Sequence, residues 1–235
     1  MALEPVDILA FGPHPDDIEI GMGGTVAKHA ASGHRVGLCD LTRGEMGSNG
    51  TPDERVAEAE EARRTLGARW RANLALPDRG LGGSDHVQQV VALVRETRPA
   101  VIALPYWEDR HPDHTAASRL VTEAAFSAGL RRYEPQAGDA WRVDWLCYYF
   151  INTTGPASFV VDVSSQYDTK RQALACYRSQ FQPSGADAVS TRLTLPTFLR
   201  LIESRDIQFG ALAGVSFAEG ILVKELIVRD GLLRR

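Results

Sequence analysis

Two short stretches carry ionisable residues at places where a core cannot hold them without partners. "PHPDD" (13–17) follows the apolar run "VDILAF", and "RHPDH" (110–114) follows "AVIALPY". Burying unpaired charge is costly, and the C-terminal ends of strands in open α/β sheets are where ligands gather. His14 and Asp17 stand three apart, as do His111 and His114. A proline suits the first helical turn, so each pair would share one helix face. Two imidazoles and a carboxylate around an open position form a catalytic Zn²⁺ site; the same donors take Fe²⁺ or Mn²⁺. The plainer alternative is a turn in which Asp caps a helix, but two such clusters at equivalent strand ends favour a ligand. Residue types alone do not decide which Asp of the adjacent pair would touch the metal. His29, His34 and His86 lack comparable neighbours and read as surface or helix residues. No cysteine falls at a strand end.

For the two clusters to meet, the strands that precede them must end on one edge of one sheet. Strand-like runs at 7–12, 35–42, 71–76 and 100–106 alternate with helical segments near 18–32, 54–67, 85–98 and 115–130. In the third helix, Val87, Val90, Val91 and Val94 recur at helical spacing. That alternation predicts a doubly wound, Rossmann-like α/β fold, a mostly parallel sheet with helices on both faces. Beyond residue 140 come two further strand-like runs, "WLCYYFI" and "FVVDVS", and helices around 166–178 and 194–212. These form a C-terminal α+β elaboration of a single domain over 1–235. "GMGGT" (21–25) lies inside the first helical segment, and close helix packing is its expected role rather than dinucleotide binding. No G-x-x-x-x-G-K-[ST] or G-x-S-x-G motif is present, which removes the P-loop and serine-hydrolase readings.

Bulk properties narrow the class further. Apolar residues make up 44 % and charged residues 24 % of the chain, and the net charge is −4 with no basic block. Nucleic acid is therefore not an expected partner, and no apolar run is long enough to span a membrane. The N-terminus lacks a basic n-region and a small-residue cleavage site, so no signal peptide is expected. Cys39, Cys147 and Cys176 are odd in number and form no C-x-x-C pair. Cys39 and Cys147 lie in apolar strand-like runs and are expected to be free, buried thiols, and a reducing, cytoplasmic setting follows.

"PHPDDIEIGMGGT", "LTRGEMGSNGT" and "RHPDH" together resemble the LmbE/PIG-L family of metal-dependent N-acetylglucosaminyl deacetylases. "ALACYRSQF" (173–181) and "ESRDIQFGALAGVSFAEGI" (203–221) are similar to its bacillithiol-pathway branch, which removes acetyl from N-acetyl-glucosaminyl-malate. The resemblance covers nearly the whole chain. It implies that His14, Asp17 and His114 hold a zinc ion and that Asp16 is the general base. It further implies that His111 stabilises the oxyanion and that Asp113 orients His111. A homo-oligomer of hexameric order is also implied.

The residue types suit that chemistry independently. An amide is a poor electrophile, and zinc both polarises the carbonyl and lowers the pKa of water. A carboxylate beside the attacking water takes its proton and returns it to the departing amine. An imidazolium near the carbonyl oxygen stabilises charge that exists only in the transition state. Pairing with Asp113 would raise the His111 pKa and keep that ring charged. Arg43, Glu45, Ser48 and Asn49, in the loop after the second strand, are expected to hold sugar hydroxyls, unless the loop is a solvated Gly-rich turn. Arg55 opens the next helix and is expected to bind a carboxylate on the aglycone; the alternative is an ion pair with Glu54 or Glu58. The leading reading is a zinc-dependent N-deacetylase. Its competitors are an amidase of mycothiol-like or antibiotic metabolism and a non-catalytic sugar- or metal-binding module.

Overall fold

The computed structural model describes residues 3–228. Its first half alternates strand and helix as the sequence predicts: β1 (Ile8–Gly12), α1 (Asp17–Ala31), β2 (Val36–Asp40), α2 (Pro52–Leu66), β3 (Trp70–Asn73), α3 (Ser84–Thr97), β4 (Val101–Pro105) and α4 (Pro112–Ala128). The second half adds β5 (Trp145–Tyr149), β6 (Phe159–Asp162), α5 (Tyr167–Ala175), α6 (Arg178–Phe181), α7 (Pro196–Ala213) and β7 (Ala218–Leu222). Among the described residues, the seven strands join one sheet in the order β3-β2-β1-β4-β5-β7-β6. The first five pair in parallel, and β7 runs antiparallel to both of its neighbours.

Alternating side chains explain the two layers of helices. Along β1, Leu9 and Phe11 pack with Val87, Val90, Val91 and Val94 of α3 and with α4. Ala10 faces the other way, toward α1, α2 and α5. A period of two on the strands meets a period near 3.6 on the helices, and both faces of the sheet are buried. Among the described residues, no helix is long and apolar enough to cross a membrane. Cys39, Cys147 and Cys176 are free and buried.

Two local features matter for the site. From β1 the chain winds outward to β2 and β3, while β4 pairs on the opposite side of β1. Strand order therefore reverses between β1 and β4, which is where an open α/β sheet leaves a crevice at its C-terminal edge. Helix α1, which starts in that crevice, is broken at Met22 (φ −148°, ψ 24°). The glycines around the break lie close to neighbours: a Cβ on Gly21 would sit 2.1 Å from the Tyr149 ring, and one on Gly24 2.8 Å from Val163. "GMGGT" is thus a packing element, as its place in the sequence suggests.

β7 is the element that the sequence reading does not contain. Its residues, "AEGIL", include Gly and Glu, both depleted in strands. All five are nevertheless buried, and the strand lies between the two C-terminal runs that read as strands. Glu219 tolerates that position because Lys170 meets its carboxylate at 2.7 Å.

Candidate metal centre

The turn after β1 gives the site its floor. Asp16 adopts φ 114° and ψ −26° immediately before α1, a left-handed conformation that costs a non-glycine residue roughly 1–3 kcal/mol. Its side chain is buried, with Oδ2 3.5 Å from an Arg55 guanidinium nitrogen. Burial, followed by repulsion from Asp17, pushes the Asp16 carboxyl up to about 8 against the pull of Arg55. A cation beside it would act in the opposite direction.

His14, Asp17 and His114 converge across the crevice. Asp17 Oδ2 lies 3.0 Å from His14 Nδ1, and Asp17 Oδ1 lies 3.3 Å from His114 Nε2. The far nitrogen of each ring also meets a carboxylate. His14 Nε2 lies 3.2 Å from Asp78 and 3.4 Å from Asp113, and His114 Nδ1 lies 3.1 Å from Asp109. Such partners fix the ring orientation and leave His14 Nδ1 and His114 Nε2 turned toward Asp17. Asp109 is itself held by backbone N–H groups of His111, Asn152 and Thr153 at 2.8, 2.9 and 3.1 Å. Burial opposes its ionisation, but hydrogen bonds from His114 and these amides keep its carboxyl well below the usual range.

Among the described residues, the cluster as a whole offers donors for a divalent cation in two compact triples, neither of which includes Asp17. One ligand atom each from His14, His111 and His114 lies within 4.8 Å of the others, and so do atoms of His14, Asp78 and Asp113. Buried carboxylates crowd His14. Although burial disfavours its charge, hydrogen bonds to Asp113, Asp17 and Asp78 hold its pKa well above the ordinary value. So much buried negative charge around an imidazole calls for a positive one, and the N/O donor mixture suits zinc and its neighbours.

His111 and Asp113 reach the site but not in the expected arrangement. The Asp113 carboxylate accepts from the Arg79 backbone N–H at 3.0 Å and from its guanidinium at 3.1 Å. It is the Asp113 backbone N–H that reaches His111, donating to Nδ1 at 3.2 Å. Burial, then the charges of His114 and His14, push the His111 pKa down. The expected contact between the Asp113 carboxylate and His111 is therefore corrected: Arg79 takes the carboxylate, and the backbone N–H is what orients the ring.

A cavity of about 280 Å³ opens over these groups, lined by His14, Asp16, Asp17, His111 and His114 and by Ser48, Asn49, Arg55, Asp78, Arg79, Arg110 and Phe198, among others. Several loop expectations change here. Arg55 is 4 % exposed; its guanidinium donates to Gly44 O at 3.0 Å and Pro15 O at 2.8 Å and pairs with Asp16. It is buried on the cavity wall and is not a surface pair with Glu54 or Glu58. Gly44 makes room for it, since a Cβ there would lie 1.9 Å from the guanidinium. Arg43 turns away to Asp53. Glu45 accepts from the Asp78 backbone N–H at 2.7 Å. The Asn49 side chain is spent on Val189, donating and accepting at 2.8 Å. Ser48 alone of the four faces the cavity without such a commitment. Glu19 lies beneath the site against Arg71 at 2.5 Å.

The sequence reading did not single out Asp78, Arg79, Asp109, Arg110 or Asn152. A signal existed for the first two, because "PDRG" follows β3 at the same sheet edge. Asp109 stands two residues before "HPDH", where its polar type alone gave no role.

Comparison with known proteins bears on this geometry. The family model described as GlcNAc-PI de-N-acetylase matches residues 9–125. Over 231 aligned residues the chain is 31 % identical to diacetylchitobiose deacetylase from Thermococcus kodakarensis, covering 91 % of this chain and 81 % of that protein. It is 28 % identical to the 1D-myo-inositol 2-acetamido-2-deoxy-alpha-D-glucopyranoside deacetylase of Rhodococcus opacus, with 80 % and 87 % covered. In structure it is similar to a conserved protein from Thermus thermophilus, with a TM-score of 0.87, 39 % identity and coverage of 98 % and 100 %.

Proposed function

The chain belongs to the PIG-L/LmbE family of N-deacetylases, hydrolases of N-acetyl amide bonds, and on that premise we propose that it deacetylates an N-acetylglucosaminide at the His14–Asp17–His114 centre. The observation that carries this reading is the Asp17 carboxylate set between His14 and His114, 3.0 and 3.3 Å away, with Asp16 beside it on the cavity floor.

Held by His14, Asp17 and His114, a zinc, iron or manganese ion supplies Lewis acidity and a lowered pKa for water. Asp16 takes the proton of the attacking water and delivers it to the amine nitrogen as the C–N bond breaks. Its carboxylate lines the cavity and makes no capping bond to α1. Hydrogen-bonded at Nδ1 by the Asp113 backbone, His111 presents Nε2–H to the carbonyl oxygen, where negative charge grows. The Asp113 carboxylate holds Arg79 and, through it, the loop that carries Asp78.

The carboxylates behind the two ligand rings lead to a measurable consequence. Asp109→Asn keeps an oxygen acceptor but removes the charge that supports His114, and zinc affinity is expected to fall about 10- to 100-fold. Competition with a chromophoric chelator measures it, and an unchanged dissociation constant would remove Asp109 from the centre.

For the aglycone we propose a carboxylate-bearing group, as in N-acetyl-glucosaminyl-malate. Support comes from the resemblance in "YRSQF" and "TRGEMGSNGTPDER" and from the exposed Arg110 on the cavity lining. With Arg55 turned inward, Arg110 replaces it as the anchoring guanidinium. Acetate release from the malate conjugate, diacetylchitobiose and the N-acetylglucosaminyl-inositol tests this assignment. The malate conjugate is expected to have the highest kcat/KM, and Arg110→Ala to lower that value alone by about 10-fold or more, the scale of one charge-assisted hydrogen bond. Preference for either neutral substrate would reject the carboxylate while leaving the deacetylase reading in place. Acetate release from none of the three would count against that reading.

A further inference from the structure

The segment "ESRDIQFGALAGVSFAEGI" has no part in the chemistry above, yet it places charged side chains in the interior. Arg205, Asp206 and Glu219 are buried together with Lys170 of α5, at 8, 0, 0 and 0 % exposure. They form a chain of alternating charge. Arg205 Nε donates to Asp206 at 3.1 Å, and Lys170 Nζ joins Asp206 and Glu219 at 2.6 and 2.7 Å. Buried ion pairs of this kind are weak contributors to stability, because desolvation offsets their attraction; specifying one geometry is their better-attested role.

The ends of the chain meet the break in α1 from both sides. Glu219 accepts from the backbone N–H groups of Gly24 and Thr25 at 2.9 and 2.6 Å, beyond the break. Before the break, the Ile20 carbonyl accepts from Arg205 at 2.6 Å. The same guanidinium donates to the Phe150 and Ile151 carbonyls at 2.8 Å each. The next residue, Asn152, donates to Asp109, the carboxylate behind His114. One side chain therefore ties the first turns of α1, which begin at Asp17, to the segment that supports His114.

We propose that Arg205 is a positioning residue that sets the separation of the two halves of the metal centre, with Asp206, Lys170 and Glu219 fixing its own orientation. The proposal rests on the reading of His14, Asp17 and His114 as the ligands. A rigid planar fork donates from separate nitrogens to three carbonyls and to Asp206, whereas a lysine ammonium offers its donors from a single atom. Residues that orient ligands without touching the metal tune its affinity, so loosening this link acts on affinity without touching a ligand.

The test uses the full chain reconstituted with zinc or cobalt. Arg205→Lys is expected to weaken zinc binding about 10- to 100-fold in chelator competition, the scale seen for supporting residues. It should also alter the visible absorption of the cobalt form. Asp17→Asn, which alters a ligand, is measured beside it. Should Arg205→Lys fail to fold, Glu219→Gln loosens the chain from its other end and carries the same expectation. Native affinity and cobalt spectrum in a folded variant would overturn the positioning role, whatever happens to Tm, provided Asp17→Asn loses zinc. Native zinc affinity in Asp17→Asn would instead overturn the ligand reading, and the proposal with it.

Discussion

Asp16→Asn is expected to lower kcat by about 10²- to 10⁴-fold, the usual contribution of a general acid–base group, while bound zinc stays near the native level. The substitution preserves size and shape, and asparagine tolerates the left-handed φ of 114° as readily as aspartate does. Arg55 would keep its bonds to Pro15 O and Gly44 O, so the turn retains its anchor. What disappears is the atom that accepts a proton from water. Acetate release under saturating substrate and elemental analysis of the same sample separate the two quantities. A variant with near-native kcat would exclude Asp16 as the base, and one that loses zinc as well would make it part of the coordination instead.

His114→Ala is expected to strip most of the metal and reduce turnover to background. It removes one of the three proposed donors and leaves Asp17 Oδ1 facing an empty space where Nε2 lay 3.3 Å away. The fold should survive, since Asp109 keeps its bonds from the backbone N–H groups of His111, Asn152 and Thr153. Circular dichroism checks the fold, and metal content is read per chain after dialysis. Full metal retention with full activity would move the ligand set elsewhere in the cluster, to the alternative formed by His14, Asp78 and Asp113.

Much of the framework was legible because it follows local rules. Alternating apolar strands and valine-striped helices marked the parallel half, and the two His-Pro-Asp turns marked the edge where β1 and β4 meet. Legibility ended where a residue's meaning depends on a distant partner. Arg55 reads as a helix-opening anchor for an aglycone carboxylate, yet its guanidinium is buried by a loop that closes over it through Gly44. Asn49 reads as a hydroxyl binder, yet its amide is committed to Val189, 140 positions away. Asp113 reads as the partner of His111, yet Arg79, supplied by the segment after β3, takes its carboxylate. No spacing within a motif encodes such long-range pairings.

The place of β7 in the sheet bears on how the protein comes off the ribosome. Strand β6 is synthesised before β7 but pairs only with it, through Phe159–Asp162 and Ala218–Leu222. Until residues 218–222 emerge, β6 has no hydrogen-bonding neighbour and the far edge of β5 stays open. Pairing across such sequence distances is slow, and the waiting edge is prone to aggregation. The Asp162 segment and the capping of Gly24 and Thr25 by Glu219 close in this last step. Chains stalled short of β7 should therefore be the ones that chaperones and proteases meet.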